Sequence, residues 1–445
     1  MLPPGPSRSA AWQLLRYSFA PLPFIEECAR RYGEPFTIRL AGFPPLVLFS
    51  DAESVKDVLR GDPQALHSGE GNEFLSVTVG RNSVLVLDEE PHMRQRRILM
   101  PPMRGERMRA HLDGMRHATL ESIASWPDGR SMRMDAPMRQ ITLRVMLEVV
   151  FGQISVEERA DWERSFERII AYGRTPLALL LIQVAPRRRF AGSRFVPFYR
   201  EMHALDQRLF ALIERRRGER SAAHGECILS DLLAATHEDG RPLDASEIRD
   251  AIMTVITAGY ETTSIALTWA LEQIVPREDV VLRVRDEVGD FAHAAEPLAE
   301  TLENFVYLDA AIRESLRVRT ILPFVVRLTK RPFEAGGREY PAGVLLCPCN
   351  HLVHRRADIH PQPEHFRPER FLERKYAAHE WFPFGGGNRA CLGMAFALHE
   401  MKVVLATVLS SVNLERAPGA RSRPRRQGIT LAPHDGAAMV VARRA

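Results

Sequence analysis

The sequence predicts a mainly α-helical protein with small β-sheets at one edge. Helical periodicity dominates from Glu89 to about Val275, as expected for amphipathic helices. Strand patterns occur in the first fifty residues, and a proline-rich extended stretch follows Arg317. We therefore expect a β-rich edge from about 34-50 and 320-350, and an α-rich remainder.

Length and composition restrict the class of protein. The chain has 445 residues, of which 45% are hydrophobic and 26% charged, as is typical of a globular protein. No Gly/Ser linker, low-complexity tract or repeat interrupts it, so we expect one domain over residues 1-445. The formal charge of +4 is far below that of a dedicated nucleic-acid-binding protein, so no nucleic-acid partner is expected.

Cysteine content and the N-terminus indicate a compartment. Five scattered cysteines are too few for a disulfide framework in a chain of this size. The N-terminus lacks the basic and apolar regions of a signal peptide, and no run of eighteen apolar residues occurs. We therefore expect a soluble, cytoplasmic protein without a membrane span.

The first strands and helix can be located from local patterns. Residues 36–40 and 46–49 flank Gly42-Phe43-Pro44, which predicts a β-hairpin. Ser50 followed by Glu53 has the pattern of a capping box, so a helix is expected to begin directly after the second strand.

The longest predicted helix runs from about Ala245 to Val275, on the order of 45 Å. A glycine inside a helix costs roughly 1 kcal/mol relative to alanine, so Gly259 indicates a close contact with a ligand or with another helix. A planar macrocycle could lie against one face of this helix, and ordinary helix packing is the alternative. That face carries small residues and a single hydroxyl at helical spacing: Ala251, Val255, Ala258, Gly259, Thr262 and Ala266.

The most informative segment is the glycine-rich stretch from Phe382 to Gly393, here named the cysteine loop. It leads into a final helix, predicted from about Cys391 to Leu409. A cysteine at a helix start has a lowered thiol pKa, because the helix dipole and free backbone amides favour the thiolate. The thiolate is the form that binds metal. The glycines allow backbone amides to approach the sulfur, and Arg389 places a cation beside it. From this pattern alone, a buried cysteine without a metal is the alternative.

This loop resembles in full the haem-binding signature of the cytochrome P-450 family, at Phe384, Gly387, Arg389, Cys391 and Gly393. The resemblance, to soluble bacterial members, implies the cytochrome P-450 fold with a long central helix over the haem. It implies haem b (iron protoporphyrin IX) as cofactor, Cys391 as the iron ligand, and Phe384, Arg389 and Gly393 as haem-binding residues. A thiolate ligand favours cleavage of the dioxygen bond in this family.

Other segments resemble further motifs of the family. By that resemblance Thr262 and Glu261 are catalytic and relay protons to bound dioxygen, while Ala258 and Gly259 contact the haem. His92 and Arg96 lie four residues apart on a predicted helix and can reach one side. Together with Arg327 they resemble the family's haem propionate anchors, although a solvated charged face is the alternative. Glu314, Arg317 and Arg370 are expected to form a buried structural network.

The resemblance implies a haem-dependent monooxygenase that inserts one oxygen atom from O2 into an apolar small molecule of terpenoid, steroid or fatty-acyl class. No G-x-G-x-x-G motif follows a strand, so electrons must come from a separate partner. We expect a ferredoxin-type donor with an NAD(P)H-dependent reductase, and a monomer. Two alternatives stay open: a peroxide-driven haem-thiolate enzyme, and a haem-binding sensor or carrier without turnover.

Two sets of residues are expected to contact substrate and electron donor. By resemblance, the substrate pocket is lined by Phe74 to Leu87, Pro176 to Val184, Val255, Ala258 and Ile321 to Val326. Arg81 and Arg174 lie near these segments and could hold a substrate carboxylate. An acidic donor could dock on the cysteine side of the haem, where four cations are expected: Arg94, Arg97, Arg104 and Lys402.

Overall fold

The computed structural model describes residues 1–174, 197–218, 227–294 and 298–443. This part of the chain is mostly helical, and its helices are α1 (Ala10–Phe19), α2 (Pro21–Tyr32), α3 (Ala52–Arg60), α4 (Ser76–Val79), α5 (Glu89–Leu99), α6 (Gly105–Arg109), α7 (Leu112–Ala124), α8 (Asp135–Phe151), α9 (Val156–Gly173), α10 (Pro197–Gly218), α11 (Ile228–Ala234), α12 (Ala245–Ile274), α13 (Glu278–Val288), α14 (Leu298–Glu303), α15 (Val306–Val318), α16 (Asn350–Val353), α17 (Arg370–Glu373) and α18 (Met394–Ser411).

The strands are short: β1 (Phe36–Ile38), β2 (Leu46–Phe49), β3 (Leu66–His67), β4 (Ser131–Arg133), β5 (Arg327–Thr329), β6 (Phe333–Ala335), β7 (Arg338–Tyr340), β8 (Leu345–Pro348), β9 (Val412–Arg416), β10 (Pro424–Gln427), β11 (Thr430–Pro433) and β12 (Ala438–Arg443). The largest sheet has the order β1-β2-β8-β5-β3, which confirms the β-rich edge expected near 34-50 and 320-350. A second sheet, β4-β12-β9, and the hairpins β6-β7 and β10-β11 complete the strands of the described ranges.

The predicted hairpin is confirmed, but the cap that follows it is not. β1 pairs with β2 in antiparallel register, with Phe36 opposite Leu48. The cap of α3 is Asp51, whose carboxylate accepts a hydrogen bond from the Ser54 N–H at 2.7 Å. The expectation for Ser50 is wrong by one residue, because Ser50 is fully buried at the end of β2.

The long central helix is confirmed as α12. It begins with a capping box, in which Asp244 accepts the Glu247 N–H and Glu247 accepts the Asp244 N–H. α12 then packs against α8, α10, α15 and α18. Because it is surrounded on several sides, most of its residues are buried whatever their position along the helical period.

The last long helix begins later than expected. α18 starts at Met394, with Gly393 as its N-cap, so Cys391 lies in the loop before the helix and not at its first turn. Within that loop, Gly387–Arg389 form a short 3-10 turn. By length and composition alone, α18 is the one helix in the described ranges that could cross a membrane, but 67% of it is buried inside the protein. It packs against α7, α12, α13 and α15, as expected of a core helix.

The expected buried network is present behind the cysteine loop. Glu314 receives two hydrogen bonds from Arg317, both 2.8 Å long, and one of 3.0 Å from Arg370. All three side chains are at most 1% exposed. Arg317 also donates to the carbonyls of His354 and Pro363. The network therefore fastens α15 to the extended segment that precedes the loop.

Candidate active site

The backbone of the cysteine loop fixes the place of Cys391. The Cys391 N–H donates to the Phe384 carbonyl at 2.8 Å, and the Ala390 N–H donates to Gly387 at 3.1 Å. Gly387 has φ 65°, and a Cβ there would lie 1.9 Å from the Leu59 carbonyl oxygen. Only glycine fits this close approach. The loop is thereby closed against α3, and the thiol lies at its end.

The surroundings of Cys391 control the ionisation of its thiol. Its own surface is exposed, yet the surrounding protein is dense enough that burial raises the pKa of the Cys391 thiol above its ordinary value. The Gly393 N–H and the Arg96 guanidinium act in the opposite direction. The expectation of a lowered pKa is wrong for the protein without metal, because burial outweighs both effects. A bound cation would reverse the balance, since coordination deprotonates a thiol.

A cluster of basic side chains lies beside the loop. Arg96 donates to the Ala390 carbonyl at 2.7 Å, and Arg327 donates to the Gly386 carbonyl at 3.2 Å. Arg389 donates to the Leu87 carbonyl at 2.6 Å and to the carboxylate of Asp88. These contacts bring together side chains from α5, β5 and the loop itself.

The charges of this cluster do not balance within the protein. Burial and the neighbouring guanidinium groups lower the pKa of His92 to about 3, so His92 is neutral at pH 7. Three arginines, Arg96, Arg327 and Arg389, lie in this cluster, and its one carboxylate within the described ranges is that of Asp88, which acts on Arg327 and Arg389. Buried charge is unfavourable unless it is paired. The excess of two positive charges fits the two propionate groups of haem b, so the residues present suit the expected cofactor.

The surface of α12 opens where the motif resembling the oxygen-activating segment lies. Ala258 is exposed, and Gly259 and Thr262 are partly exposed. Ala251 and Ala266, on the same face, are buried. The Thr262 hydroxyl donates to the Ala258 carbonyl at 2.6 Å. The predicted small-residue face therefore lines a gap in the packing only near its middle.

Gly259 has a packing reason that the sequence did not reveal. A Cβ at this position would lie 2.9 Å from the sulfur of Met146 on α8. The absent side chain thus makes room for a neighbouring helix, in line with the alternative of ordinary helix packing. The contact of Gly259 with haem stays a prediction.

Glu261, the expected proton donor, has a raised pKa. Burial raises the pKa of Glu261 to about 7, against the opposing effect of Arg174 and Arg139. Arg139 is bonded to Asp135 at 2.8 Å. The Nε and one Nη of Arg174 are buried and have no hydrogen-bond partner within the described ranges. Arg174, with these two nitrogen atoms, therefore acts electrostatically on a carboxyl group whose pKa is about 7.

Of the residues expected near the substrate pocket, two aromatic side chains pack against other rings and Arg81 is exposed. Phe74 packs edge-to-face on Phe43 at 5.9 Å, and Phe324 packs on Tyr17 at 6.0 Å. Arg81 is exposed in a turn. The segment Pro176 to Val184 lies outside the described residues. The helix before it, α9, ends at Gly173.

Most of the cations expected to meet an electron donor are already paired. Arg94 lies 3.8 Å from Glu247, and Lys402 lies 3.2 Å from Asp309. Arg97 contacts Glu90 and lies 3.6 Å from Glu238. Arg104 is exposed. The expected basic surface is therefore largely neutralised, because sequence spacing does not reveal which carboxylates lie opposite.

Asp88 is the residue of the site that the sequence analysis missed. Its carboxylate is the only acidic partner of the basic cluster in the part of the chain that the structure describes. An available signal was its place directly before α5, where an aspartate is usually interpreted as a helix cap. Here its side chain makes no capping bond to α5.

Comparisons with known proteins find similar proteins over nearly the whole chain. A model of the family described as cytochrome P450 matches residues 3–438. A Mycobacterium tuberculosis protein with the provisional name cytochrome P450 135B1 is 34% identical over 98% of this chain and 90% of its own length. A second, provisionally named cytochrome P450 138, is 31% identical over 100% and 97%. The solved structure titled "Retinoic acid bound cyanobacterial CYP120A1" has a TM-score of 0.86 and 23% identity, with full coverage of both chains.

Proposed function

The chain belongs to the cytochrome P450 family and is a haem-thiolate monooxygenase, and we propose that it inserts one oxygen atom from O2 into an apolar small molecule of terpenoid, steroid or fatty-acyl class. Haem b is its cofactor. The observation that carries the assignment of the site is the basic cluster beside the cysteine loop, whose two unbalanced positive charges suit the haem propionates.

Each part of the site has a proposed role in holding the cofactor. Cys391 binds the iron as a thiolate, with the Gly393 N–H donating to its sulfur. Arg96, Arg327 and Arg389 bind the propionates, and neutral His92 offers a further donor. Phe384 and Ala258 contact the macrocycle. Bound haem supplies the activation of dioxygen, favoured by its thiolate ligand.

Thr262 and Glu261 are proposed to deliver protons. The Thr262 hydroxyl is held by the Ala258 carbonyl at 2.6 Å, at the open part of α12. Glu261, with a pKa of about 7, can both give and accept a proton near neutral pH, as a general acid should. We therefore propose that Glu261 donates protons towards the open part of α12, and that the Thr262 hydroxyl passes them on to dioxygen bound there.

The proposed substrate is apolar, and one form of the proposal adds a carboxylate at one end of the molecule. Apolar pockets bind by surface removed from water, and the expected lining segments carry mainly aliphatic and aromatic side chains. Arg174 supports the carboxylate variant, because two of its buried nitrogen atoms have no partner within the described ranges. Fatty acids and other apolar acids are therefore the first compounds to test.

The proposed electron supply is a separate ferredoxin-type protein with an NAD(P)H-dependent reductase. Family members depend on a redox partner in general. Exposed Arg104, which has no ion pair in the described part of the chain and acts electrostatically on Arg96, is the cation best placed to attract an acidic donor. We propose a cytoplasmic, monomeric enzyme.

A binding titration tests the substrate class. The haem-loaded protein is titrated with a long-chain fatty acid, a sesquiterpene, a steroid and a compact polar aromatic, and the haem absorption spectrum is followed. We expect tight, spin-state-shifting binding of at least one apolar compound, and weaker binding of the fatty acid to an Arg174→Gln variant. Tight binding of the polar aromatic alone would contradict the proposal.

A further inference from the structure

Asp88 determines the orientation of Arg389. One terminal nitrogen of Arg389 donates to both the Asp88 carboxylate and the Leu87 carbonyl, and the other donates to the Val84 carbonyl at 3.3 Å. Both side chains are about one-tenth exposed or less. The guanidinium is therefore held by three acceptors from one short segment, and its Nε–H makes no hydrogen bond within the described ranges.

Asp88 is itself held in place by backbone amides. One carboxylate oxygen accepts the Gly69 N–H and the other accepts the Glu70 N–H, both at 2.9 Å. A Cβ at position 69 would lie 2.4 Å from the Val86 carbonyl oxygen and 2.6 Å from the Asp88 carboxylate. Glycine is required there, because any side chain would push the two segments apart.

His67 braces the same segments from the other side. Its ring nitrogens lie 2.9 Å from a carboxylate oxygen of Glu70 and 2.9 Å from one of Glu89. Lys330 contacts Glu70 at 2.8 Å. Glu89 has φ 50°, a left-handed conformation that is unfavourable for a residue with a side chain and persists only when its surroundings impose it. The position of Asp88 is thus fixed by several independent contacts.

We propose that Asp88 is a positioning residue for the haem, which aims Arg389 at the haem edge and balances one of the three guanidinium charges. The inference rests on the proposed binding of a propionate by Arg389. Without the carboxylate charge, Arg389 loses its strongest acceptor and the cluster keeps an unbalanced positive charge. Haem should then dissociate more readily. Reduction of the iron should also become easier, because the added electron enters a site that carries more positive charge.

The test is an Asp88→Asn variant of the haem-loaded enzyme. We expect haem transfer to apomyoglobin to be roughly tenfold faster, as for the loss of a hydrogen bond to a charged group, and the midpoint potential to be more positive. The thiolate-type band of the reduced CO complex should be kept. Asp62→Asn is the matched control, because it removes the exposed ion pair with Arg331, and both quantities should stay at the wild-type value.

A double-mutant comparison separates positioning from other effects. If Asp88 acts through Arg389, Asp88→Asn adds no further acceleration of haem loss to an Arg389→Gln variant. Acceleration of equal size in both backgrounds would overturn the inference, as would wild-type haem loss in Asp88→Asn alone. If Arg389→Gln itself leaves haem loss unchanged, the proposed propionate contact fails as well.

A milder variant covers the case in which Asp88→Asn does not load haem. His67→Gln weakens the brace but leaves the Asp88 charge in place. We expect faster haem loss in this variant with a smaller change of midpoint potential than a loss of charge would give. Wild-type haem retention in His67→Gln would overturn the part of the inference that concerns the brace.

Discussion

Cys391 is exposed, but the protein around it is dense enough to affect the ionisation of its thiol. Burial raises the pKa of its thiol, while the Gly393 N–H and Arg96 oppose the shift. The thiolate therefore needs a cation to become the stable form in this position. In the proposed site haem iron would supply one, so binding of the cofactor and ionisation of Cys391 would occur together.

Replacement of the thiol tests this ligand directly. In Cys391→His we expect loss of the thiolate-type absorption of the reduced CO complex, because imidazole is a neutral ligand, while the basic cluster retains part of the haem. Cys227→Ser, at a buried cysteine in the loop before α11, is a suitable control and should keep the band. A band near the wild-type position in Cys391→His would contradict the assignment.

The hydroxyl of Thr262 can be tested against a matched residue on the same helix. In Thr262→Ala we expect less product per NAD(P)H consumed and more peroxide, because proton delivery is disturbed. Thr257 makes the same type of bond, from its hydroxyl to the Met253 carbonyl at 2.5 Å. Thr257→Ala should therefore keep the wild-type ratio. A wild-type ratio of product to NAD(P)H in Thr262→Ala as well as in Thr257→Ala would exclude Thr262 from the relay.

The raised pKa of Glu261 predicts a pH dependence. Because its pKa is about 7, the protonated form that can donate falls as pH rises through 7. We expect the product formed per NAD(P)H to fall over the same range in the wild type, and to be low and nearly independent of pH in Glu261→Gln. The measurement is the coupling ratio from pH 6 to 8.5. A persistent wild-type pH profile in Glu261→Gln would contradict the role.

At the scale of elements, α18 carries a buried acid that the site does not use. Glu400 is fully buried, and neither carboxylate oxygen has a hydrogen-bond partner in the described ranges. Burial raises the pKa of Glu400 to about 8, with no other cause. In the folded protein this side chain is therefore neutral at pH 7, whereas in the unfolded chain it is ionised.

The sign of the resulting stability effect follows from the raised pKa. The folded state binds the proton more tightly than the unfolded state, so the contribution to stability is complete below about pH 4.5 and is lost as pH rises to about 8. Glu400→Gln, which stays neutral, should lack this loss. We expect the midpoint of thermal unfolding to fall less between pH 5 and 8 in Glu400→Gln than in wild type.

Exposed Glu303 provides the control for that comparison, since its side chain is 66% exposed. Glu303→Gln should follow the wild-type pH dependence. If Glu400→Gln loses stability with rising pH as steeply as the wild type, ionisation of Glu400 does not contribute.

Helices and strands were predicted correctly where a pattern of neighbouring residues is enough to determine them. The long periodic stretch from about Ala245 leads to α12 as predicted. α18 begins three residues later than predicted, because a 3-10 turn at Gly387–Arg389 and the loop contact with Leu59 extend the loop. The sequence did not reveal β9 to β12: all four are short, and β9 and β12 also depend on pairing with strands far away in sequence.

At the scale of the whole molecule, the Glu314 network joins segments that are far apart in sequence. Removal of its carboxylate leaves two guanidinium groups buried without a counter-charge, for Arg317 and Arg370 are at most 1% exposed. We expect Glu314→Gln to lower the free energy of unfolding by about 3–5 kcal/mol. Glu373→Gln, which removes the exposed pair with Arg367, should cost under about 1 kcal/mol. Denaturant unfolding of both variants provides the measurement.

The sequence by itself determined the fold class, the central helix and the cysteine loop, because helical periodicity and glycine spacing act over a few residues. Only the tertiary structure decided the electrostatics of the site. Asp88 and Arg389 are 301 residues apart, and no local pattern joins them. The raised pKa of Cys391, the neutral His92 and the two unbalanced charges all depend on burial and on distant neighbours, which arise when the chain folds.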